Sequence, residues 1–178
     1  FDEDGTFLKG DSLIIAAKRS QNIARQILGF LIFIPWIIFW QLKFVSTEKI
    51  KIKFLQSFGI CEAENKAEEH NNFNWLLNDM RSNCRPVGLQ RLRWHQERGD
   101  KVLLCSASPR VLLQGFADRL GVEVICTELV RSKGKWLPKL SSPNCKGLEK
   151  VKRLTQHLGE LGNYEIEAYG DSRVTENF

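Results

Sequence analysis

The sequence KVLLCSAS at residues 101–108 is a short, continuous apolar run, which is typical of a β-strand buried on both faces. Pro109 follows it directly and predicts the start of a helix. Residues 122–129, VEVICTEL, form a second run of the same kind. Residues 133–140, KGKWLPKL, predict a small hairpin or ribbon. A helical pattern at residues 146–158 then precedes a third predicted strand at residues 164–170, YEIEAYG. Strands that alternate with helices indicate an α/β fold with a parallel sheet and right-handed crossovers.

The sequence before this alternating unit is almost wholly helical. Its last helix, PVGLQRLRWHQERG, is predicted to begin at Pro86 and to end at Gly99-Asp100, with an apolar side made of Val87, Leu89, Leu92 and Trp94. Residues 1–6, FDEDGT, predict the end of a strand running into a turn, because Asp-Gly is a strong turn signal. We therefore predict a discontinuous α/β core made of residues 1–12 and 86–178. Residues 13–85 would form a helical insertion within it.

Composition and cysteine usage exclude several classes of protein. The chain has 178 residues, of which 43% are apolar and 26% charged, as in an ordinary globular protein. This balance excludes a disordered tail, a collagen-like repeat and a disulfide-stapled mini-protein. The five cysteines are widely spaced without a CxxC pair, which predicts free thiols in a reducing compartment. The chain starts without Met and ends directly behind a motif, so we expect a fragment cut at both ends.

The most apolar stretch lies inside the predicted insertion, at residues 27–40, ILGFLIFIPWIIFW. Residues 11–60 around it hold seven Lys or Arg against two acids, which equals the +5 net charge of the whole chain. The apolar run is shorter than the roughly 20 residues that span a bilayer. Two alternatives stay open. The run could form a buried helix pair kinked at Pro35, or an interfacial segment whose flanking cations attract anionic head groups.

Polar side chains follow the ends of the predicted strands and the start of the last helix. In open α/β sheets, ligands bind beyond the carboxyl ends of the strands. A few carboxylates suit Mg²⁺, one carboxylate can act as a nucleophile, and a hydroxyl and an ammonium can hold phosphoryl oxygens. The set therefore predicts phosphoryl transfer to an aspartate. Its members are Asp2, Glu3 and Asp4 after the first strand, Ser106 after the second, Asp171 after the last, and Lys150 on the helix.

These residues stand in four motifs that resemble the haloacid dehalogenase superfamily, in its phosphoserine-phosphatase-like branch, over essentially the whole chain. The first is DEDGT at residues 2–6, and the second is VLLCS, which ends at Ser106. The third is the lysine of NCKGLEKVKRL, Lys150, and the fourth begins with Gly170 and Asp171. The resemblance implies a Rossmann-like three-layer α/β/α core, with the helical insertion as a cap over the active site.

The resemblance also implies a role for each motif residue. Asp2 would attack phosphorus, and Asp4 would protonate the leaving oxygen and then activate water. Mg²⁺ would be held by the Asp2 carboxylate, the Asp4 main-chain carbonyl and Asp171. Ser106 and Lys150 would bind the phosphoryl group, with Lys150 also positioning Asp2.

The fourth motif departs from the commoner pattern of the superfamily. Many relatives place an aspartate four residues after the first one, and that position here is Thr175. Glu176 matches a longer-spaced variant of the motif and is the candidate second acid. In the third motif Lys146 is an alternative to Lys150, although it precedes the helix and fits the spacing less well.

We therefore expect a Mg²⁺-dependent phosphomonoester hydrolase. The apolar, basic cap and the segment RLRWHQERGDKVLLCSASP resemble the subgroup that includes bacterial phosphatidylglycerophosphate phosphatases. The expected substrate is a membrane lipid phosphate of that kind, with contact to a membrane through residues 27–40 at the inner face of the cytoplasmic membrane. The alternatives are a soluble cytoplasmic phosphatase of a small metabolite such as phosphoserine, or a non-catalytic protein of this fold that binds a membrane or partner. Nucleic acid is not an expected partner, because the RLRWHQER segment is better explained as the polar face of a core helix.

Overall fold

The computed structural model describes residues 1–19, 23–69, 78–79 and 81–170. The predicted site residues Asp171 and Glu176, and the neighbouring Thr175, lie outside the described residues. The helices and strands, in chain order, are α1 (Ser12–Arg19), α2 (Ile23–Gln41), α3 (Thr47–Ser57), α4 (Ile60–Glu69), α5 (Pro86–Arg98), β1 (Leu103–Pro109), α6 (Arg110–Leu120), β2 (Glu123–Thr127), β3 (Leu129–Ser132), β4 (Lys135–Leu140) and α7 (Leu148–Leu158), followed by a 3₁₀ helix (Leu161–Asn163).

The central sheet is built around β1, which pairs in parallel with β2. The first residues of the chain continue the sheet on the other side of β1. Phe1 donates from its nitrogen to the Leu103 carbonyl at 2.8 Å, and the Cys105 N–H donates to the Phe1 carbonyl at 2.8 Å. The Asp2 N–H donates to the Tyr169 carbonyl at 2.8 Å. Phe1 and Asp2 therefore lie between β1 and the segment at residues 164–170, and the parallel α/β prediction is confirmed.

The prediction of a regular third strand at residues 164–170 is wrong for the described residues. Residues 165–170 have no regular secondary structure, and among the described residues a single backbone bond, from the Asp2 N–H to the Tyr169 carbonyl, joins them to the sheet. The segment's apolar residue Ile166 is 55% exposed, so little buried side-chain surface stabilises a strand there.

Helices cover both faces of the β1–β2 pair. On one face Leu104 and Val124 belong to a large cluster that includes Phe116 of α6. On the other face Cys105 and Ile125 pack with Leu154 of α7. Neighbouring residues of each strand thus face opposite sides of the sheet, and a helix packs on each side. The result is the three-layer arrangement that the resemblance implied. All five cysteines are buried free thiols, as the sequence predicted.

Helix α5 has the predicted bounds but a different buried face. It begins with Pro86 and ends at Gly99, whose φ of 79° closes the helix in the left-handed conformation. We predicted Val87 on the apolar face, yet it is 75% exposed. The buried side instead follows Gly88, Leu92 and His95 in steps of four and three residues. A Cβ at Gly88 would lie 3.2 Å from the ring of Phe7, which is tighter than most Cβ contacts, so glycine favours this close approach.

The predicted hairpin within residues 133–140 is confirmed, although its first strand starts earlier. Strands β3 and β4 pair antiparallel, and the turn between them contains Lys133 (φ 50°) and Gly134 (φ 79°). The hairpin is tied to the helical segment by Asn65 of α4. The Asn65 amide donates to the Trp136 carbonyl at 3.0 Å and accepts from the Trp136 N–H at 2.8 Å.

The entry and exit of the helical segment lie side by side. The Lys9 N–H donates to the Asn83 carbonyl, and the Arg85 N–H donates to the Phe7 carbonyl, both at 2.9 Å. Adjacent connections are the geometry that an insertion requires. The division into a core of residues 1–12 and 86–178 and a cap of residues 13–85 stays a prediction.

Helix α2 contains the apolar run and continues through Pro35 as one element. Among the residues of α2, only Gly29 and Phe33 are buried. Phe33 packs against Phe54 of α3 and against Phe58, the residue that follows α3, and Gly29 adjoins the Phe58 ring. A buried helix pair is therefore not what the chain forms. By length and composition alone, α2 could cross a membrane, and it is the one such helix among the described residues.

Substitution of Gly29 by valine should separate α2 from α3. A Cβ at this position would lie 2.9 Å from the Phe58 ring, so we expect a loss of about 1–3 kcal/mol in the free energy of unfolding. Urea denaturation measures the loss. Gly10→Val is the matched control, because nothing lies within 4 Å of a Cβ there. Equal stability of the two variants would contradict the α2–α3 contact.

Candidate active site

The centre of the site is an ion pair between Asp2 and Lys150. The Lys150 Nζ lies 2.8 Å from Asp2 Oδ1, which also accepts the Glu3 N–H at 2.9 Å. The side chains are 10% exposed for Lys150 and 20% for Asp2. Lys150 is the third residue of α7, so that helix directs its ammonium at the sheet edge. Lys146, the alternative lysine, is exposed before the helix begins.

Asp4 lies at the same edge but has different neighbours. Its Oδ1 accepts the Ser12 N–H at 2.7 Å, and its Oδ2 accepts the Ser108 hydroxyl at 2.8 Å. The Ser12 hydroxyl donates to the Ser108 Oγ at 2.7 Å. Burial, followed by the charge of Asp11, raises the pKa of Asp4 to about 6, and the hydrogen bonds only partly offset this. Asp4 can therefore exchange a proton near neutral pH.

Glu3 points away from the other two carboxylates and into the core. It is fully buried, and its Oε2 accepts the Ser106 hydroxyl at 2.9 Å. Ser106 Oγ in turn accepts the Ser108 N–H at 3.0 Å. Burial, and then the charge of Asp4, raise the pKa of Glu3 well above its usual range. The predicted phosphate-binding serine is thus buried at the site with its hydroxyl directed at Glu3, a contact that the sequence analysis did not foresee.

Lys51 of α3 also reaches the site, and sequence reasoning missed it. Its Nζ donates to the Ala107 carbonyl and to Asn144 Oδ1, both at 2.5 Å. Ala107 lies between Ser106 and Ser108, so the ammonium adjoins the end of β1. Burial lowers the pKa of Lys51 to about 8. In the sequence Lys51 was one of seven cations in a basic stretch, with no signal to separate it from the others.

The loop before α7 and the ends of β1 and β2 are held together. The Thr127 hydroxyl donates to the Ala107 carbonyl at 2.6 Å, and its oxygen lies 3.1 Å from Asn144 Oδ1. The Asn144 N–H donates to Glu48 of α3 at 3.1 Å. Asn144 thus connects the predicted cap to the edge of the sheet where the carboxylates lie.

The donors around Asp2 suit a small hard cation. Among the described residues, Asp2 Oδ2 has no hydrogen-bond partner, so one carboxylate oxygen is available to a ligand. Carboxylate and main-chain carbonyl oxygens are the donors that Mg²⁺ prefers. The part of the chain that the structure describes contains no group of three or more metal-binding side chains. Asp171 does not belong to that part.

The family model for haloacid dehalogenase-like hydrolases matches residues 1–174. The chain belongs to this family. The predicted superfamily and α/β fold are therefore confirmed for this haloacid dehalogenase-like hydrolase. The phosphoserine-phosphatase-like branch and the similarity to phosphatidylglycerophosphate phosphatases stay predictions. None of the curated protein sequences matches the chain significantly.

Solved structures share the fold of this hydrolase at low sequence identity. A protein of unknown function from Bordetella pertussis Tohama I is 20% identical, with a TM-score of 0.72 over 92% of this chain and 76% of its own. A HAD family hydrolase from Salmonella enterica serovar Typhi is 12% identical, with a TM-score of 0.57 over 89% of this chain and 50% of its own. A phosphoserine phosphohydrolase-like protein from Francisella tularensis is 16% identical, with a TM-score of 0.50 over 90% of this chain and 72% of its own. These likenesses show the fold.

The raised pKa of Asp4 predicts a pH-dependent stability. Below about pH 4 this carboxyl is protonated in both the folded and unfolded states. As the pH rises towards 6 only the unfolded state ionises, so the folded state loses up to about 3 kcal/mol of stability relative to an uncharged residue. The melting temperature of Asp4→Asn minus that of wild type should therefore grow from pH 4 to pH 6 and stay constant above.

Calorimetry in chelator measures this difference without interference from bound metal. Asp118→Asn is the control, because that carboxylate is exposed and accepts a hydrogen bond from Gln114. A difference for Asp4→Asn that does not change with pH would contradict the environment of Asp4 described above.

Proposed function

We propose that this hydrolase cleaves phosphomonoesters through an aspartyl-phosphate formed on Asp2. The observation that supports the proposal best is the Asp2–Lys150 ion pair at 2.8 Å, at the sheet edge that also holds Asp4. The Glu3 N–H and the ammonium fix one oxygen of the carboxylate. A carboxylate with a fixed orientation, half-buried beside a cation, is suited to attack phosphorus, because the cation offsets the charge of the incoming phosphoryl group.

The proposed reaction has two steps. In the first, an Asp2 carboxylate oxygen bonds to phosphorus and the bond from phosphorus to the leaving oxygen breaks, while Asp4 gives its proton to that oxygen. In the second, Asp4 takes a proton from water, the water oxygen bonds to phosphorus, and the bond to Asp2 breaks. A pKa near 6 suits both the acid and the base role. Lys150 would hold the phosphoryl oxygens, and so would Ser106 once its hydroxyl turns from Glu3.

Mg²⁺ is the proposed cofactor. The Asp2 carboxylate, the Asp4 main-chain carbonyl and Asp171 would hold it, with Glu176 as the candidate second acid of the fourth motif. When bound, the ion would offset the negative charge of the phosphoryl group. The support for this assignment is Asp2 Oδ2, which has no hydrogen-bond partner among the described residues.

Replacement of Asp2 by asparagine should abolish turnover, because an amide is a very poor nucleophile. We expect a loss of at least about 10³-fold in kcat with p-nitrophenyl phosphate, while circular dichroism shows that the fold is retained. The melting temperature should fall, because Lys150 loses its charged partner. Asp118→Asn should retain wild-type activity. Chelator should stop the wild-type enzyme and added Mg²⁺ should restore it. Wild-type turnover by Asp2→Asn would exclude the covalent mechanism.

The exposed surface of α2 favours a membrane lipid phosphate as the substrate. Large exposed apolar patches on soluble domains mark sites of interaction with proteins or membranes. The excess of cations in residues 11–60 matches an anionic lipid surface. The exposed apolar residues of α2 and the turn after it are Ile23, Ile27, Leu28, Phe30, Leu31, Ile32, Ile34, Ile38, Phe39, Trp40, Leu42 and Phe44.

The neighbours of α2 favour a position along the membrane surface. The Lys53 ammonium lies 4.6 Å from the Trp36 ring, near the middle of α2. Arg25 at its start pairs with Glu62 of α4 at 3.1 Å. A helix that crossed the bilayer would carry these charges into the hydrocarbon, at a cost of several kcal/mol. We therefore propose that α2 lies in the plane of the inner membrane face, with its exposed side among the lipids.

A triple substitution tests this contact. Leu31→Ser, Ile34→Ser and Ile38→Ser together should strongly reduce sedimentation with anionic vesicles and keep the melting temperature, because the three side chains are 62%, 47% and 51% exposed. Salt should release only part of the wild-type protein, since apolar burial is not screened.

The variant should also lose more activity on a vesicle-borne lipid phosphate than on p-nitrophenyl phosphate. Phe33→Ser is the contrasting control, because Phe33 is 8% exposed and its loss should lower the melting temperature and both activities. Absence of vesicle binding by the wild-type protein would instead favour the soluble-metabolite alternative.

A further inference from the structure

Lys51 is a cation whose charge the proposed reaction does not use. It belongs to α3, in the predicted cap, yet its ammonium lies against the end of β1. The other lysines of this helix point elsewhere: Lys49 is exposed, and Lys53 lies over Trp36. Lys51 is therefore the α3 cation that meets the carboxylate edge of the sheet.

The partners of Lys51 do not neutralise it. An ammonium offers three donors, and two of them go to the neutral Ala107 carbonyl and Asn144 amide oxygens. Among the described residues, no carboxylate lies within ion-pair distance of Lys51. Burial of a cation without a paired anion is costly, so the arrangement favours the arrival of an anionic group.

The position of Lys51 indicates which part of a substrate it would meet. The charge that attracts it most is Asp4, followed by Asp11. Asp4 also accepts the hydroxyl of Ser108, which is the residue after Ala107. In the proposed reaction Asp4 serves the leaving oxygen, whereas Lys150 serves the attacking carboxylate of Asp2. Lys51 therefore lies on the leaving-group side of the site.

We infer that Lys51 is a specificity-determining residue that binds a second anionic group, carried by the leaving group of the substrate. The inference rests on the proposed function and names its substrate class: phosphomonoesters whose leaving alcohol bears a carboxylate or a phosphodiester. A soluble phospho-acid and a phospholipid head group would both supply such a group.

Two pairs of substrates that differ in this second anion test the inference. In solution the pair is 3-phosphoglycerate and glycerol 3-phosphate. In detergent micelles it is phosphatidylglycerophosphate and phosphatidic acid. Wild type should prefer the first member of at least one pair by tenfold or more in kcat/KM, and the preferred pair identifies the source of the anion.

Lys51→Met should remove this preference, with a loss of tenfold or more on the anionic member and under threefold on the neutral one. Lys51→Arg should restore most of the preference, because it retains the charge. Lys49→Met on the same helix should behave as wild type. Equal losses on both members, or a wild-type enzyme without preference, would overturn the inference and leave Lys51 as a contact between cap and core.

Equilibrium binding of the four compounds to Asp2→Asn separates this inference from the proposed function. A Lys51-dependent preference in binding without any turnover by wild type would overturn the phosphatase and keep the anion site. Turnover of these substrates without a Lys51-dependent preference would overturn the anion site alone.

Discussion

Three main-chain hydrogen bonds around Phe1 and Asp2 fix the position of everything else in the site. They insert the first two residues between β1 and the segment at residues 164–170. The turn that follows, in which the Phe7 and Leu8 N–H groups donate to the Glu3 carbonyl, leaves Asp2 and Asp4 partly exposed and Glu3 fully buried. The same pairing places the end of β1, with Ser106, next to these carboxylates. Lys150 pairs with Asp2 from α7, which packs on the face of the sheet opposite α6.

The sequence predicted those parts of the structure that local patterns determine. The continuous apolar runs around Cys105 and Ile125 predicted buried parallel strands, and Pro86 with Gly99 predicted the bounds of α5. Val87 was misplaced because the close approach of Gly88 to Phe7, a tertiary contact, turns the buried face of the helix. The segment at residues 164–170 has a strand-like pattern, but its exposed side chains give it little to pack against.

The order of the motifs in the chain was enough to predict which residues meet at the site, because it places them at the ends of strands. Asp2, Asp4, Ser106 and Lys150 all lie at one edge of the sheet, as their positions in the chain implied. Contacts made by folding could not be inferred in this way. The hydrogen bond from the Ser106 hydroxyl to Glu3 depends on the turn at Glu3, and the contact of Lys51 with Ala107 depends on how α3 packs. Chain position alone carries no signal for either contact.

The double hydrogen bond of Asn65 to Trp136 has a consequence for the solubility of the protein. Strand β4 is the outer edge of a two-stranded ribbon, and an open edge is a template for pairing with other chains. The Asn65 amide satisfies the N–H and the carbonyl of Trp136 as a neighbouring strand would. Helix α4 thereby acts as a cover for this edge. Loosening of the helical segment would uncover a backbone ready for β-addition, so the integrity of α4 and resistance to aggregation are physically coupled.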